Sequence, residues 1–432
     1  MINYAKDGIK MKIIALVLFI LTYVLLLLLP KFRAYIACIS GAIFVLLGIL
    51  PVNMLLSTID WNVILMIAGT MGIVYLFIES KMPALLADII IEKTPNIKWA
   101  IVSLALFAGF ISAFVDNVAT VLMVAPVALT IAKKLKISPV PSIIAIAISS
   151  NLQGAATLVG DTTSILLGGY ANLDFLDFFF FQEKIGMFWI VQAGALTSTL
   201  VLLYFFRNED QLVYTEKRTE VKDYFPSFLL CSTVILLILA SFIPNKPKIT
   251  NGIICITLMF IGIIRDIFRT RSFDVFVKTI NEIDFFTLLL LTGLFIVIGG
   301  ITQAGVVDEI SKIFVKISGD NIFVIYSLLV WASVFFSAFI DNIPYIATML
   351  PVTAGIASIL GVEPYLLYFG LLSGATLGGN LTPIGASANI TALGILRKGG
   401  YEVSAKDFMK LSVPFTLVAV TTGYILVWLI WS

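Results

Sequence analysis

"SAFVDNVATVLMVAPVALTIA" occupies residues 112–132, and "SAFIDNIPYIATMLPVTAGIA" occupies residues 337–357. With Ser112 aligned on Ser337, an offset of 225, the two stretches are identical at nine of 21 positions. Each sets an Asp–Asn pair, Asp116–Asn117 and Asp341–Asn342, inside an apolar tract. A charged side chain in hydrocarbon costs about 3 kcal/mol or more, so such an acid normally faces a protein-lined or aqueous site. Asp and Asn also hydrogen-bond to their own backbone and favour turns over helix interiors. Each pair therefore predicts a hairpin tip or a helix break within the apolar layer.

The surrounding composition agrees. Of 432 residues, 60% are hydrophobic and 12% charged, and the mean hydropathy is +1.05. A soluble chain carries about 25% charged residues. Apolar runs of 18 to 23 residues recur from end to end, long enough to cross about 30 Å of hydrocarbon as helices. The strand alternation of a membrane barrel is absent. The fold class is thus an all-α polytopic membrane protein. The first run, Ile13 to Leu29, continues at once into another, and reads as a retained helix rather than a signal peptide. The net charge of +2 gives no reason to expect a nucleic-acid partner. Cys38, Cys231 and Cys255 stand singly in apolar tracts and read as small core residues. The chain has no histidine, so a side-chain proton would ride on a carboxylate in preference to Lys or Tyr.

The repeat extends beyond the opening pair. "TLVGD" at Thr157 meets "TPIGA" at Thr382 at the same offset, pairing Gly160 with Gly385. At an offset of 224, "DWNVILMIAG" from Asp60 meets "DFFTLLLLTG" from Asp284. We divide the chain into repeat 1 (1–206), a cytoplasmic linker (207–225) and repeat 2 (226–432). Ten spans are expected at about 12–29, 33–50, 61–79, 140–170, 184–206, 226–243, 249–264, 284–304, 362–394 and 409–431. The blocks 97–135 and 322–358 remain as hairpins, re-entrant or fully spanning, since either returns the chain to the same face. Five spans per half turn the second repeat upside down relative to the first, as in inverted-repeat transporters. With the linker inside, 20 Lys and Arg fall on the cytoplasmic side and eight on the other. This predicts a multi-pass protein of the cell membrane with both termini outside.

A second block in each half also looks broken. "SSNLQGAATLVGDTTS" (149–164) and "GATLGGNLTPIGASAN" (374–389) are rich in Gly, Thr, Ser and Asn. A broken span frees backbone groups that a cavity or ion must satisfy, and matching breaks in two halves point to the substrate site. The candidate ion-binding residues are Asp116, Asn117, Asn151, Thr157, Gly160 and Asp161 from the first half. Asp341, Asn342, Asn380, Thr382, Gly385, Ser387 and Asn389 come from the second. Asp116 and Asp341 are the candidate Na⁺ ligands. Asp161 has no acidic counterpart, since Ala386 stands there. Single glycines serve equally well as packing devices at helix crossings. Asp60 and Asp284 read as helix-end residues, Glu79 as interfacial, and "FLDFFFF" (175–181) as an interfacial belt or short lateral helix.

"FVDNVATVLMVAPV", "FIDNIPYIATMLPV", "TLVGD" and "GGNLTPIGASANI" together resemble the ion transporter superfamily over nearly the whole chain. The branch resembled holds arsenite efflux permeases, NhaD-type sodium/proton antiporters and the pink-eyed dilution P protein, with a citrate-transporter-like domain. The resemblance implies two inverted repeats, each with a re-entrant hairpin and a discontinuous helix, elevator-type motion and a homodimer. Related dicarboxylate transporters carry Ser-Asn-Thr at the hairpin tips, where this chain has Asp116-Asn117-Val118 and Asp341-Asn342-Ile343. The branch often reads Gly-Asp-Pro-Pro-Asn at the first break. Here Gly160-Asp161-Thr162-Thr163-Ser164 replaces it.

Three acids and no Lys or Arg fall in the four motif blocks. That balance disfavours a multivalent organic anion and suits Na⁺, H⁺ or a neutral hydroxide such as arsenous acid. Carboxylate, carbonyl and hydroxyl oxygens are the ligands of hard cations. The expected function is secondary active transport of a small inorganic ion, proton-coupled, as Na⁺/H⁺ exchange or arsenite/antimonite efflux. Alternatives are a sodium-coupled dicarboxylate or citrate-type carrier and a passive anion channel. An intramembrane aspartyl protease is the weakest reading, because the repeat duplicates the Asn and Gly residues too, and we do not expect an enzyme. No cofactor is expected beyond a coupling H⁺ or Na⁺. No P-loop is visible, so ATP would require an ATPase partner subunit.

Overall fold

A computed structural model describes residues 2–135, 137–212 and 218–432 and is nearly all helix. The helices begin where the sequence offers a cap. Asp60 Oδ1 accepts from the Val63 N–H at 3.1 Å, and Asp284 Oδ1 from the Thr287 N–H at 3.0 Å. Asn96 caps Ile97–Ser112, and its counterpart in the repeat, Asn321, caps Ile322–Ser337. Each side-chain oxygen satisfies an N–H that the first helical turn leaves without a partner.

The repeat is written into the helix limits. Ile97–Ser112 and Ile322–Ser337 match at both ends, as do Asn117–Leu135 and Asn342–Leu360, and Val140–Gln153 and Tyr365–Gly378. Trp61–Glu79 and Phe285–Gln303 match at an offset of 224. The packing repeats as well. Gly69 lets Trp61–Glu79 approach the backbone at Cys255–Ile256 of helix Thr250–Thr270. Gly293, its counterpart, does the same for Phe285–Gln303 at Ala37–Cys38 of helix Arg33–Leu46. Helices Met187–Phe205 and Ala405–Trp431 pack together, and Thr197 Oγ1 meets its own counterpart Thr422 Oγ1 at 2.9 Å.

Two cavities flank the central pair. The start of Trp61–Glu79 and the end of Phe285–Gln303 line one of about 980 Å³. The end of the first and the start of the second line another of about 200 Å³. The two repeat-related helices therefore run antiparallel. The hairpin arm Asn117–Leu135 packs against Ser387–Lys398 of the other half, and Asn342–Leu360 packs against Thr162–Ala171. Each half thus reaches into the broken helix of the other.

Several expectations change. Seven of the described helices are long and apolar enough to span a membrane, or eight with the bent pair Val306–Ser318 and Ile322–Ser337. Ten spans were expected; 140–170 and 362–394 are divided, as their broken blocks predict, into the shorter helices Val140–Gln153 with Thr162–Ala171 and Tyr365–Gly378 with Ser387–Lys398. The span expected at 33–50 ends at Leu46, where the chain turns through Gly48 at φ +69°. The second arm of each expected hairpin has 19 residues, about 28 Å of helix. "FLDFFFF" forms a 3₁₀ turn, Leu176–Phe178, and one strand of a two-stranded ribbon, Phe180–Phe181 with Lys184–Ile185. Of the cysteines only Cys255 is buried; Cys38 is half-buried and Cys231 exposed.

Residues 213–217 of the linker lie outside the described residues; the rest of it straps the two halves together. Thr219 donates through its N–H and Oγ1 to Asp88 Oδ2 at 2.8 and 2.6 Å, and the Lys222 N–H donates to the Ser80 carbonyl. Asp223 is ion-paired with Arg265 and Arg269. Burial pushes the Asp223 carboxyl up, but hydrogen bonds from Arg265 and the Phe225 N–H, with the two guanidinium charges, outweigh it and leave it below the usual range. A depressed carboxyl stabilises the fold above its unfolded pKa of about 4 and loses that contribution as pH falls towards the folded value. Asp223→Asn should destabilise by about 1–3 kcal/mol at neutral pH, read as a lower thermal midpoint in detergent. The deficit should shrink in acid; an unchanged midpoint at pH 7 would refute the strap.

Candidate functional site

The site grows from two hairpin tips and two helix breaks. After Ser112 the chain turns through Ala113–Val115, and Asp116 opens the next helix, its Oδ1 accepting from the Val118 and Ala119 N–H groups at 3.0 and 3.1 Å. In the first broken helix Val140–Gln153 stops, residues 154–160 are irregular, and Asp161 caps Thr162–Ala171. Thr157 Oγ1 donates to the Ala113 carbonyl, fixing the break to the tip. A Cβ on Gly160 would lie 2.9, 3.0 and 3.1 Å from the carbonyls of Gly154, Ala113 and Ser112, so this approach needs glycine.

The second half repeats the staple. Thr382 Oγ1 donates to the Ala338 carbonyl, and a Cβ on Gly385 would meet the Gly379 carbonyl at 2.6 Å. Asn389 Nδ2 donates to the Gly379 and Thr382 carbonyls, where Ser164 Oγ donates to Gly154 in the first half. Thr157, Gly160, Thr382, Gly385 and Asn389 therefore hold the breaks in shape, and none of them lines the acidic cavity described below. Gly385→Ala should cost about 1–3 kcal/mol by overpacking. It should appear as a lower thermal midpoint of the purified protein, and wild-type stability would contradict the close approach.

A buried amide ladder joins the halves. Asn117 Nδ2 donates to Asn151 Oδ1 at 2.8 Å. Asn151 Nδ2 donates to the Thr376 carbonyl at 2.9 Å and to Asn380 Oδ1 at 3.1 Å. Asn380 Nδ2 ends the ladder on the Ile148 carbonyl at 2.9 Å. Beside it, Asp161 Oδ2 accepts from Thr163 Oγ1 at 2.9 Å and faces Asn342 Nδ2 at 3.5 Å.

The 200 Å³ cavity opens between these elements. Asp116, Asn117, Asp161, Thr162, Asn342 and Ser387 line it together with Tyr75, Glu282, Asp284 and Thr287. Glu282 and Asp284 are exposed, whereas Asp161 is buried. Among the described residues, four carboxylates and no Lys or Arg line this space. Among the described residues no three His, Cys, Asp or Glu cluster tightly enough to hold a metal by themselves. The oxygen set suits a proton, a monovalent cation or a neutral hydroxide. The larger cavity contains none of the candidate residues and carries Lys246 and Lys248 beside Asp60 and Asp174.

Asp341 sits elsewhere. Its Oδ1 caps Ile343, but its Oδ2 is ion-paired with Arg33 Nη1 at 3.0 Å, and it does not line the acidic cavity. The charge balance of the motif blocks left Arg33 out because it lies outside them, in the opposite half of the sequence from Asp341, and nothing local announces the contact. Asp284 is both the expected helix cap and a cavity wall. Tyr75, Glu282 and Thr287 carried no sequence signal beyond their nearness to the helix ends.

Comparison with known proteins fits this architecture. The family model described as "Citrate transporter" matches residues 16–372. The chain belongs to the citrate transporter family. Among proteins similar to it, an uncharacterized transporter of Mycobacterium tuberculosis is 30% identical, covering 97% of this chain and 98% of its own. The P protein of Homo sapiens is 26% identical over 85% of this chain and 54% of its own length. In fold, the citrate transporter family chain is similar to the YdaH transporter of Alcanivorax borkumensis, with a TM-score of 0.59 at 13% identity, covering 87% and 86% of the two chains. It is also similar to MtrF of Neisseria gonorrhoeae, described as illuminating a class of antimetabolite efflux pumps, with a TM-score of 0.55 at 14% identity, covering 85% and 80%.

Proposed function

We propose that the protein is a secondary active transporter whose coupled species is a small cation or a proton, moving Na⁺ or a neutral arsenous-type hydroxide. The observation that carries this reading is the cavity with Asp116, Asp161, Glu282 and Asp284 and, among the described residues, no facing base. A cation gains from such a wall. A free organic trianion would be repelled unless protonated or bound to cations. We propose further that residues 1–206 and 226–432 are inverted-topology repeats. The antiparallel central pair and the contact of Thr197 with its own counterpart Thr422 support this. Access would then alternate between the two cavities at opposite ends of the central pair. Three ion pairs support the span topology: Lys12–Glu309, Lys246–Asp174 and Arg218–Glu92 each join segments that the charge count puts on one face.

A second reading, citrate transport, is favoured by the description of the family model. Everted vesicles carrying a pH-sensitive dye separate the two. Proton movement on adding Na⁺, Li⁺ or arsenite, with little on adding citrate or succinate, is the expected result. Saturable uptake of labelled citrate or succinate, with no response to the inorganic ions, would replace the cation reading.

A further inference from the structure

The two hairpin-tip carboxylates occupy equivalent places but have different partners. Arg33 Nη1 donates to Asp341 Oδ2 at 3.0 Å and Arg33 Nε to the Leu26 carbonyl at 3.2 Å, with side chains only 20% and 19% exposed for Arg33 and Asp341. Nearby, Tyr23 Oη donates to the Pro344 carbonyl at 2.8 Å and touches Thr348 Oγ1. The N-terminal helix and the helix after it thus hold the second tip from outside. Among the described residues the first tip has no such clasp. An offset of 225 from Arg33 falls on Leu258, and among the described residues Asp116 has no basic partner and opens into the acidic cavity.

We propose that Arg33 is a tethered counter-ion that occupies the cation position of the second tip, leaving one exchangeable cation site at Asp116 and Asp161. The inference rests on the cation reading above. A guanidinium is permanently charged and its forked donors match a carboxylate. Being covalently held, it neutralises Asp341 without dissociating, as a diffusible Na⁺ would. Sequence symmetry alone would give two ion-binding tips and two coupled ions; Arg33 reduces these to one. Arg33 is in this sense a positioning and stoichiometry-setting residue, not an ion ligand.

The test uses the purified full chain in proteoliposomes, with Na⁺- or Li⁺-driven proton movement followed against ion concentration. Wild type, Arg33→Gln, Asp341→Asn and the double variant are compared, each checked by size-exclusion chromatography. The wild type should respond with a Hill coefficient of about 1, and Arg33→Gln with a steeper dependence, towards about 2, because two sites would then exchange. Asp341→Asn alone should be strongly impaired, since it leaves the half-buried guanidinium unpaired. The double variant should recover most of the flux with the wild-type steepness. A double variant as impaired as Asp341→Asn, or Arg33→Gln with wild-type steepness, would overturn the proposal while leaving the cation reading intact. A wild type that answers neither Na⁺ nor Li⁺ would overturn the proposal, and one that is silent to arsenite as well would overturn the cation reading too.

Discussion

Asp116→Asn should reduce ion-driven proton movement in vesicles by about ten- to a hundred-fold, while the protein still reaches the membrane and elutes as a single species. The size follows from removing one charged ligand, worth about 1.5–3 kcal/mol, at roughly tenfold per 1.4 kcal/mol. The fold should survive because Asn caps a helix about as well as Asp. The two N–H groups held by Asp116 Oδ1 would keep an acceptor. Asp60→Asn makes the control, since Asp60 caps Trp61–Glu79 and lies on the other cavity. Normal transport by Asp116→Asn would remove the carboxylate from the mechanism.

Asn151→Leu should do the opposite kind of damage. Asn151 is fully buried and uses its carbonyl for Asn117 and its amide for Thr376 and Asn380. Leucine would strand Asn117 Nδ2 and remove one partner each from the Thr376 carbonyl and Asn380 Oδ1. Each buried group left unpaired costs about 1–3 kcal/mol, so a loss of about 3 kcal/mol or more is expected. The readout is thermal stability and yield in detergent. A variant that is stable yet inactive would move the ladder from scaffold to binding site.

The contrast between these two residues shows how far the sequence could be read. Asp116 and Asn151 were both visible as polar residues repeated or clustered inside apolar tracts, and both lie at the junction of the halves. Sequence pattern could not separate them, because whether a polar side chain faces a cavity or another amide depends on packing between segments from opposite halves of the chain. The same holds for Thr157, Gly160, Thr382 and Gly385, whose contacts join tip to break across segments the sequence keeps apart. Helix limits were more legible, because capping residues such as Asp60, Asn96, Asp284 and Asn321 are local signals. The pairing of Arg33 with Asp341 was not legible at all. Arg33 is an ordinary helix-start basic residue until the fold brings a hairpin tip to it.

Proton release tests whether the acidic cavity seats the coupled ion, without needing to know the direction of transport. The purified protein in weakly buffered detergent, with a pH dye, is titrated with Na⁺, Li⁺ or arsenite, and with choline as the ionic-strength control. Saturable proton release by the wild type to at least one of the three is expected, absent in Asp116→Asn and Asp161→Asn and unaffected in Asp60→Asn. Release that persists unchanged in both cavity variants, or no release to any ion by a protein that takes up labelled citrate, would contradict it.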